Sequence, residues 1–238
     1  DILGLMTCAK DTNKDKLDLI IHTPGGDYEA TKRIINYLHE TYKHIRTFIP
    51  HMAMSGGTLI ACASDEIYMG PYSSLGPTDP QTFLNNSYVP VHAIIEEFNM
   101  AFEEVSKNPQ KALLWNERLK QIPFGRLKAA QNMNENSKLY LTRLLAKRNC
   151  KKKSEDDNRK ISEFLNSGKG HSSHGRGISL KDAIDNGLNA IDLRKEKELE
   201  DAVLSIYHSA IILFEKTSVQ KVILNNNGRK YINSFTEK

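Results

Sequence analysis

A chain of 238 residues can bury one substantial core, or one core with an appendage, and its 39% apolar and 26% charged content is that of a soluble globular protein. The net charge of +4, from 33 basic and 29 acidic residues, is too balanced to point to nucleic acid. No run approaches the roughly 18 apolar residues of a membrane span, and Asp1-Ile2-Leu3-Gly4 does not open a cationic signal peptide.

Cys8, Cys62 and Cys150 are an odd number without short spacing, which argues against a disulfide framework or a zinc cluster and for a reducing compartment. A cytoplasmic body is expected, with any membrane anchor confined to a segment upstream of Asp1.

In chain order, residues 1–16 read as a helix end and a polar loop. Residues 17–21 form a short apolar run bounded by a turn, the pattern of a buried strand. After Gly26, residues 27–39 place Ala30, Ile34, Tyr37 and Leu38 at helical spacing behind an acidic first turn. Residues 45–50 predict the next strand, 55–64 a short helix of small residues, and 66–69 a third strand. Strand and helix alternating at this pace indicate an α/β fold with parallel pairing and right-handed crossovers.

Residues 71–80, crowded with Gly, Pro and Ser, read as loop, and the chain beyond turns helical. Ile94, Phe98, Phe102 and Val105 share one face of a helix over 91–105, with further helices over 136–148 and 154–165. Packing is the expected role there, including for Trp115, and the Lys151-Lys152-Lys153 run is a solvated linker. Ser179 caps a helix over 180–186 that Gly187 ends; 188–192 is a short edge strand, 200–215 an amphipathic helix, and 221–232 a hairpin turning at Asn227-Gly228. The division is a core over residues 1–90, a helical insertion over 91–166 that covers the site or builds a subunit interface, and core completion over 167–238.

Two glycine pairs stand out, Pro24-Gly25-Gly26-Asp27 and Met54-Ser55-Gly56-Gly57, each following a strand and opening a helix. Helix starts of this kind leave backbone N–H groups without intrahelical partners, and a developing anion favours them. Taken alone, the first pair is an ordinary tight turn, and Ser55 is as well explained as a helix cap as it is as a nucleophile. Together in one α/β unit, they fit a nucleophile beside an oxyanion hole.

The pair resembles the ClpP and signal-peptide-peptidase group of serine peptidases, of ClpP/crotonase fold. Leu19-Ile20-Ile21-His22-Thr23-Pro24-Gly25-Gly26, Met54-Ser55-Gly56-Gly57-Thr58, the 72–81 stretch with Gly76-Pro77-Thr78-Asp79-Pro80, and Ser173-His174-Gly175-Arg176-Gly177-Ile178 together resemble the serine dehydrogenase proteinase family. The likeness is dense over 17–81 and 171–193 and faint in the helical middle. It implies a repeated β-β-α superhelical core with a helical insertion, Ser55 as nucleophile, Asp79 as the orienting carboxylate, His174 as the base, and Gly26 and Gly56 as oxyanion donors. A serine hydroxyl needs such a base, and the base needs orienting.

His171 and His22 compete with His174, with His22 read as a strand-end residue packing under the turn. Lys107 or Lys111 is an alternative base, because signal-peptide peptidases of this fold use a lysine. The expected activity is ATP-independent cleavage of peptide or protein substrates through an acyl-enzyme, by a homo-oligomer, with no cofactor, metal or nucleic acid. The rivals are a crotonase-like acyl-thioester hydrolase and a non-catalytic scaffold in which Ser55 merely caps its helix.

Overall fold

The computed structural model describes residues 1–84, 86–166 and 177–235. The first half runs α1 (Ile2–Cys8), β1 (Lys16–Ile20), α2 (Tyr28–Thr41), β2 (His44–Ile49), β3 (Met52–Ala53), α3 (Gly56–Cys62), β4 (Glu66–Met69), β5 (Ser74–Leu75), β6 (Gln81–Leu84) and β7 (Ser87–Pro90). Then follow α4 (Val91–Lys107), α5 (Ala112–Leu119), α6 (Arg126–Lys147), α7 (Glu155–Asn166), α8 (Leu180–Asp185), β8 (Ala190–Asp192), α9 (Lys197–Lys216), β9 (Val219–Leu224) and β10 (Lys230–Ser234).

A parallel sheet of order β1-β2-β4-β8 forms the centre. The inner strands β2 from Thr47 and β4 from Ile67 are buried on both faces, as strands inside a covered parallel sheet are, whereas β1 at the edge alternates. Ile49, Ile67 and Met69 pack with Leu59, Leu141, Leu145 and Leu165 from the helices on one side. Phe48 and Tyr68, stacked at 4.8 Å, meet Val203 of α9 and Leu193 on the other.

The short strands leave this sheet and build a second, smaller one. β3 pairs in parallel with β5, Thr23 bridges to Ala53, and Leu75 bridges to Ile178. Each long strand from β1 to β4 is thus followed by a short extended piece, Thr23 after β1, β3 after β2 and β5 after β4. That is the β-β-α winding the sequence implied, and it gathers three turns on one small sheet.

Local chemistry fixes the ends. Asp27 caps α2 through its Oδ1, which accepts from Ala30 N at 2.7 Å. Ser179 and Asp182 form a reciprocal capping box on α8, and Gly187 follows at φ +93°. Asp65 sits at the head of β4, accepting from Ile45 N and from Arg148 Nη1, both at 2.9 Å. Arg148 also donates to the Tyr42 and Lys43 carbonyls, so the end of α6 is tied to the start of the sheet.

Several expectations need correction. Residues 81–90 form the β6–β7 hairpin, turning through Asn86 at φ +61°, where only helix was anticipated after the loop. The helix expected from 136 begins at Arg126, and α5 holds the buried Trp115, whose Nε1 donates to Glu104. On α4 the buried residues are Val91, Ile94 and Ala101, and Phe102 is 77% exposed. Phe102 stands one position beyond Ala101, about 100° around the helix, and so points outward.

All three cysteines are buried and unpaired. Burial pushes each of their thiols above the ordinary cysteine range.

Candidate active site

The serine turn is a sharp link between β3 and α3. Ser55 occupies the position before the first helical residue, but its side chain makes no capping bond. Its backbone is at φ +49° and ψ −109°, a region that an L-residue with a side chain rarely occupies. A serine serving only as a cap sits in extended backbone with its oxygen on a helix amide. Ser55 does neither, and it is half-buried.

The first glycine pair lies against it. Gly25 is at φ +109°, and a Cβ there would come within 3.0 Å of Ser55 Cβ and of the Met54 carbonyl, and within 3.6 Å of Gly56 N. The two bends therefore touch, as the reading required. A Cβ added at Gly26 meets nothing within 4 Å, so that side of the turn is open. Among the described residues, neither the Gly26 nor the Gly56 amide has a hydrogen-bond acceptor. Amides left without an acceptor at the start of a helix are donors that an anion favours.

Threonines that the sequence reading did not single out hold the bends in place. Thr23 exchanges backbone bonds across β3, its amide donating to Met52 O at 3.1 Å and its carbonyl accepting from Met54 N at 3.0 Å. Its hydroxyl accepts from Gly25 N at 3.1 Å. Thr31 lies where a Cβ on Gly56 would fall, 2.6 Å from its Oγ1, so only glycine fits between α2 and α3. Thr58, fully buried, donates toward the carbonyls of Ala53 at 2.8 Å and Gly76 at 2.7 Å, and accepts from Gly76 N at 3.0 Å. It joins the serine turn to the loop after β5. Their signal was present as Thr23 two residues before the first glycine pair and Thr58 directly after the second, but it becomes readable only once the turns are known to meet.

That loop carries Asp79, which is 3% exposed. Gly76 packs on Met54, and Thr78 reaches both α7 and α6, its amide donating to Leu165 O at 2.8 Å and its carbonyl facing the Ser137 hydroxyl at 3.5 Å. Burial pushes the Tyr28 hydroxyl above its ordinary range while the neighbouring Ser137 hydroxyl acts the other way. Through Ser137, the Asp79 loop and the start of α2 share one wall.

Against Asp79 stands His92, on the first turn of α4, with Nδ1 3.7 Å from Oδ2. The sequence reading missed it, because a lone histidine in an amphipathic helix carries no motif. His174 and His171 lie outside the described residues. His22 stacks on His51 at 5.4 Å and meets the edge of Tyr207 at 5.1 Å, a packing role at the strand ends. Burial, followed by the charge of His51, holds the His22 imidazole below its ordinary range. Lys111 pairs with Glu104 at 3.0 Å. Lys107 ends α4, about 22 Å along the axis from His92 at 1.5 Å per residue. The structure thus gathers Ser55, Gly56, Gly25 and Gly26, places Asp79 on the adjoining loop with His92, and does not bring the two lysines to the first turn of α4.

The sequence model of ClpP-like SDH-type serine proteinases matches residues 4–191, most of the chain and both glycine turns. The chain belongs to that family. Its α/β fold with a parallel sheet is the ClpP-like fold, and the family's general class is serine peptidase. Among curated relatives, two uncharacterized proteins of Methanocaldococcus jannaschii match: MJ1495, 44% identical over 90 residues, and MJ0137, 54% identical over 69 residues. These stretches cover 38% and 29% of this chain but 30% and 24% of those proteins. Membrane protein NfeD1b of Bacillus subtilis is 32% identical over 68 residues, 29% of this chain and 16% of that protein. The matched stretches span less than a third of each relative's length. Among solved structures, the 1510-N membrane-bound stomatin-specific protease aligns at TM-score 0.46 and 16% identity, covering 90% of this chain and 75% of that one. No described helix of this chain is long and apolar enough to cross a membrane.

Proposed function

We propose that the chain is a serine endopeptidase that cleaves peptide bonds through an acyl-enzyme on Ser55. The observation that carries this reading is the contact of Gly25 with Ser55, made while Ser55 is held at positive φ without a capping bond. A turn of this shape exposes the hydroxyl at the mouth of a helix, as in other nucleophile elbows. The amides of Gly26 and Gly56 receive the oxyanion, Asp79 orients an imidazole, and the family motif gives that imidazole as His174. Substrate lies extended along the Gly25–Gly26 edge; β1 is an edge strand of the main sheet, which supports this mode of binding.

A homo-oligomer working in the cytoplasm is part of the same proposal. Leu113, Leu114 and Phe124, exposed on and beside α5, support a partnered surface there. The test is a fluorophosphonate probe with peptide and acyl-CoA substrates, comparing the native chain with Ser55→Ala. Labelling of Ser55 and peptide turnover, both lost in the variant, support the reading. Acyl-CoA turnover without peptide turnover assigns the chain to the thioester rival, and no labelling beside a labelled control peptidase removes the nucleophile.

A further inference from the structure

His22 and His51 occupy equivalent places in the fold. Each stands two residues beyond a long parallel strand, β1 or β2, and just before the extended piece that leads to the site. Thr23 follows His22 and Met52 follows His51, and these pieces are bonded to each other: Thr23 N donates to Met52 O, and Met54 N donates to Thr23 O. Thr23 Oγ1 then holds the Gly25 amide, and Met54 leads directly into Ser55. A displacement of the two imidazoles is therefore passed to both bends through short, hydrogen-bonded segments.

The pair is covered by α9, which lies outside the stretch that the family model matches. Val203, buried with Phe48 and Tyr68, anchors the helix on the sheet. Tyr207 stands one turn further along the same face. Its ring meets His22 edge-on with centroids 5.1 Å apart, and its hydroxyl is hydrogen-bonded to His51 Nδ1 at 3.1 Å. The imidazoles themselves stack at 5.4 Å with planes 16° apart. This stack suits a neutral pair better than a charged one. His22 Nδ1 is buried and, among the described residues, has no hydrogen-bond partner, so an imidazolium there would bury an unsatisfied N–H. The titratable groups against His22 are His51, from the end of β2, and Tyr207, from α9, with exposed His208 beside Tyr207. Among the described residues no carboxylate contributes to its titration, and burial followed by His51 holds the imidazole low. His51 is exposed, so protons from solvent reach the rim of the stack.

We propose that Tyr207 is a positioning residue and that the stack beneath it is a proton-sensitive latch. Closed and neutral, the latch keeps Thr23 and Met54 bonded and so holds the Gly25 and Ser55 bends together. When His22 takes up a proton from solvent the latch opens, and the Tyr207 turn of α9 lifts to let water reach the imidazolium. The latch itself does not rest on the peptidase reading; its effect on Ser55 does. A base held low in the closed form binds its proton more tightly in the open one. Closure is therefore complete above the ordinary imidazole value near 6.5 and is lost as pH falls below it. One proton linked in this way raises the open fraction by up to about ten-fold between about pH 7.5 and about pH 5.5.

The experiment is amide hydrogen exchange of the whole chain at those two pH values, corrected for the intrinsic rate and read at Thr23 and Met54 against the amides of the β2–β4 pair. In the native chain the Thr23 and Met54 amides are expected to lose protection at the lower pH, by up to the same factor of about ten, while β2–β4 holds. Tyr207→Ala is expected to exchange fast there at both pH values, with the His22 imidazole resonances titrating nearer their ordinary range. Tyr207→Phe, which keeps the ring, restores part of the protection. His22→Phe keeps a ring that cannot take up a proton, and its protection is expected to be independent of pH. Native Thr23 and Met54 amides that merely track β2–β4 overturn the proposal, and so does a His22 titration that Tyr207→Ala leaves unmoved. Fluorophosphonate labelling of Ser55 in the same samples is expected to fall with the lost protection; labelling as fast in Tyr207→Ala as in the native chain removes the positioning role. A native chain that does not label at all overturns the peptidase reading, and the amides still decide the latch.

Discussion

Ser55 is held in a backbone region that costs of order 1 to 3 kcal/mol for a residue with a side chain. Glycine adopts that conformation freely, so Ser55→Gly is expected to raise thermal stability by about 2 to 4 °C for each kcal/mol relieved, while abolishing probe labelling. Calorimetry on the variant reads the first effect and the labelling assay the second. Gly25→Ala runs the opposite way. It places a methyl 3.0 Å from Ser55 Cβ and from Met54 O, at a φ that alanine disfavours, so both stability and labelling fall. Thr58→Val leaves the buried Gly76 O without its hydroxyl donor, while Gly76 N and Ala53 O keep each other. Unsatisfied buried groups cost about 1 to 3 kcal/mol each, and urea unfolding is expected to show a loss of at least that size. Ser55 and the glycine pairs were legible because their local pattern, strand then glycines then helix, repeats within one chain. Thr58 and His92 were not, because each owes its place to a neighbour distant in the sequence.

Among the elements, those with punctuation at their ends were read correctly. Ser179 and Gly187 framed α8, and Asn227-Gly228 marked the β9–β10 turn, where Gly228 sits at φ +79°. The β6–β7 hairpin escaped because its turn residue in left-handed backbone is Asn86, a weaker signal than glycine. The early start of α6 escaped for a related reason: Gly125 at φ +78° opens it without a capping side chain, and its mixed polar sequence dilutes the helical period. α6 earns its stability from tertiary contact. Leu141 is fully buried within the main core, so Leu141→Ala is expected to lose about 2 to 5 kcal/mol by chemical denaturation. Arg148, just beyond the helix, anchors its end. Burial alone would push the Asp65 carboxyl upward, but the Ile45 amide and Arg148 outweigh it and hold the group below the usual carboxylate range. A lowered folded pKa gives stability that is present above the unfolded value near 3.9 and lost as pH falls through the folded one. Arg148→Met leaves that carboxylate buried with weaker partners, and a loss of about 3 to 5 kcal/mol is expected at neutral pH.

Across the whole molecule, two histidines among the described residues carry lowered values that bear on mild acid. His22 is held low chiefly by burial and then by the charge of His51. His39 is held low chiefly by burial, against the pull of its bond to the Ala63 carbonyl. For a base with a lowered folded pKa, the unfolded chain takes up protons first. Stability is therefore full above the unfolded value near 6.5 and declines as pH falls below it. A melting temperature lower at about pH 5.5 than at about pH 7.5 is expected, with the difference reduced in His39→Gln; equal values in the native chain would contradict the lowered pKa values. The burial of every thiol bears on experiment in a further way. With Cys8, Cys62 and Cys150 shielded and their thiolates disfavoured, Ser55→Cys would introduce the most readily alkylated sulfur in the protein. The alkylation profile of that one atom against pH would then report, without any substrate, how strongly its surroundings favour negative charge at the tip of the turn.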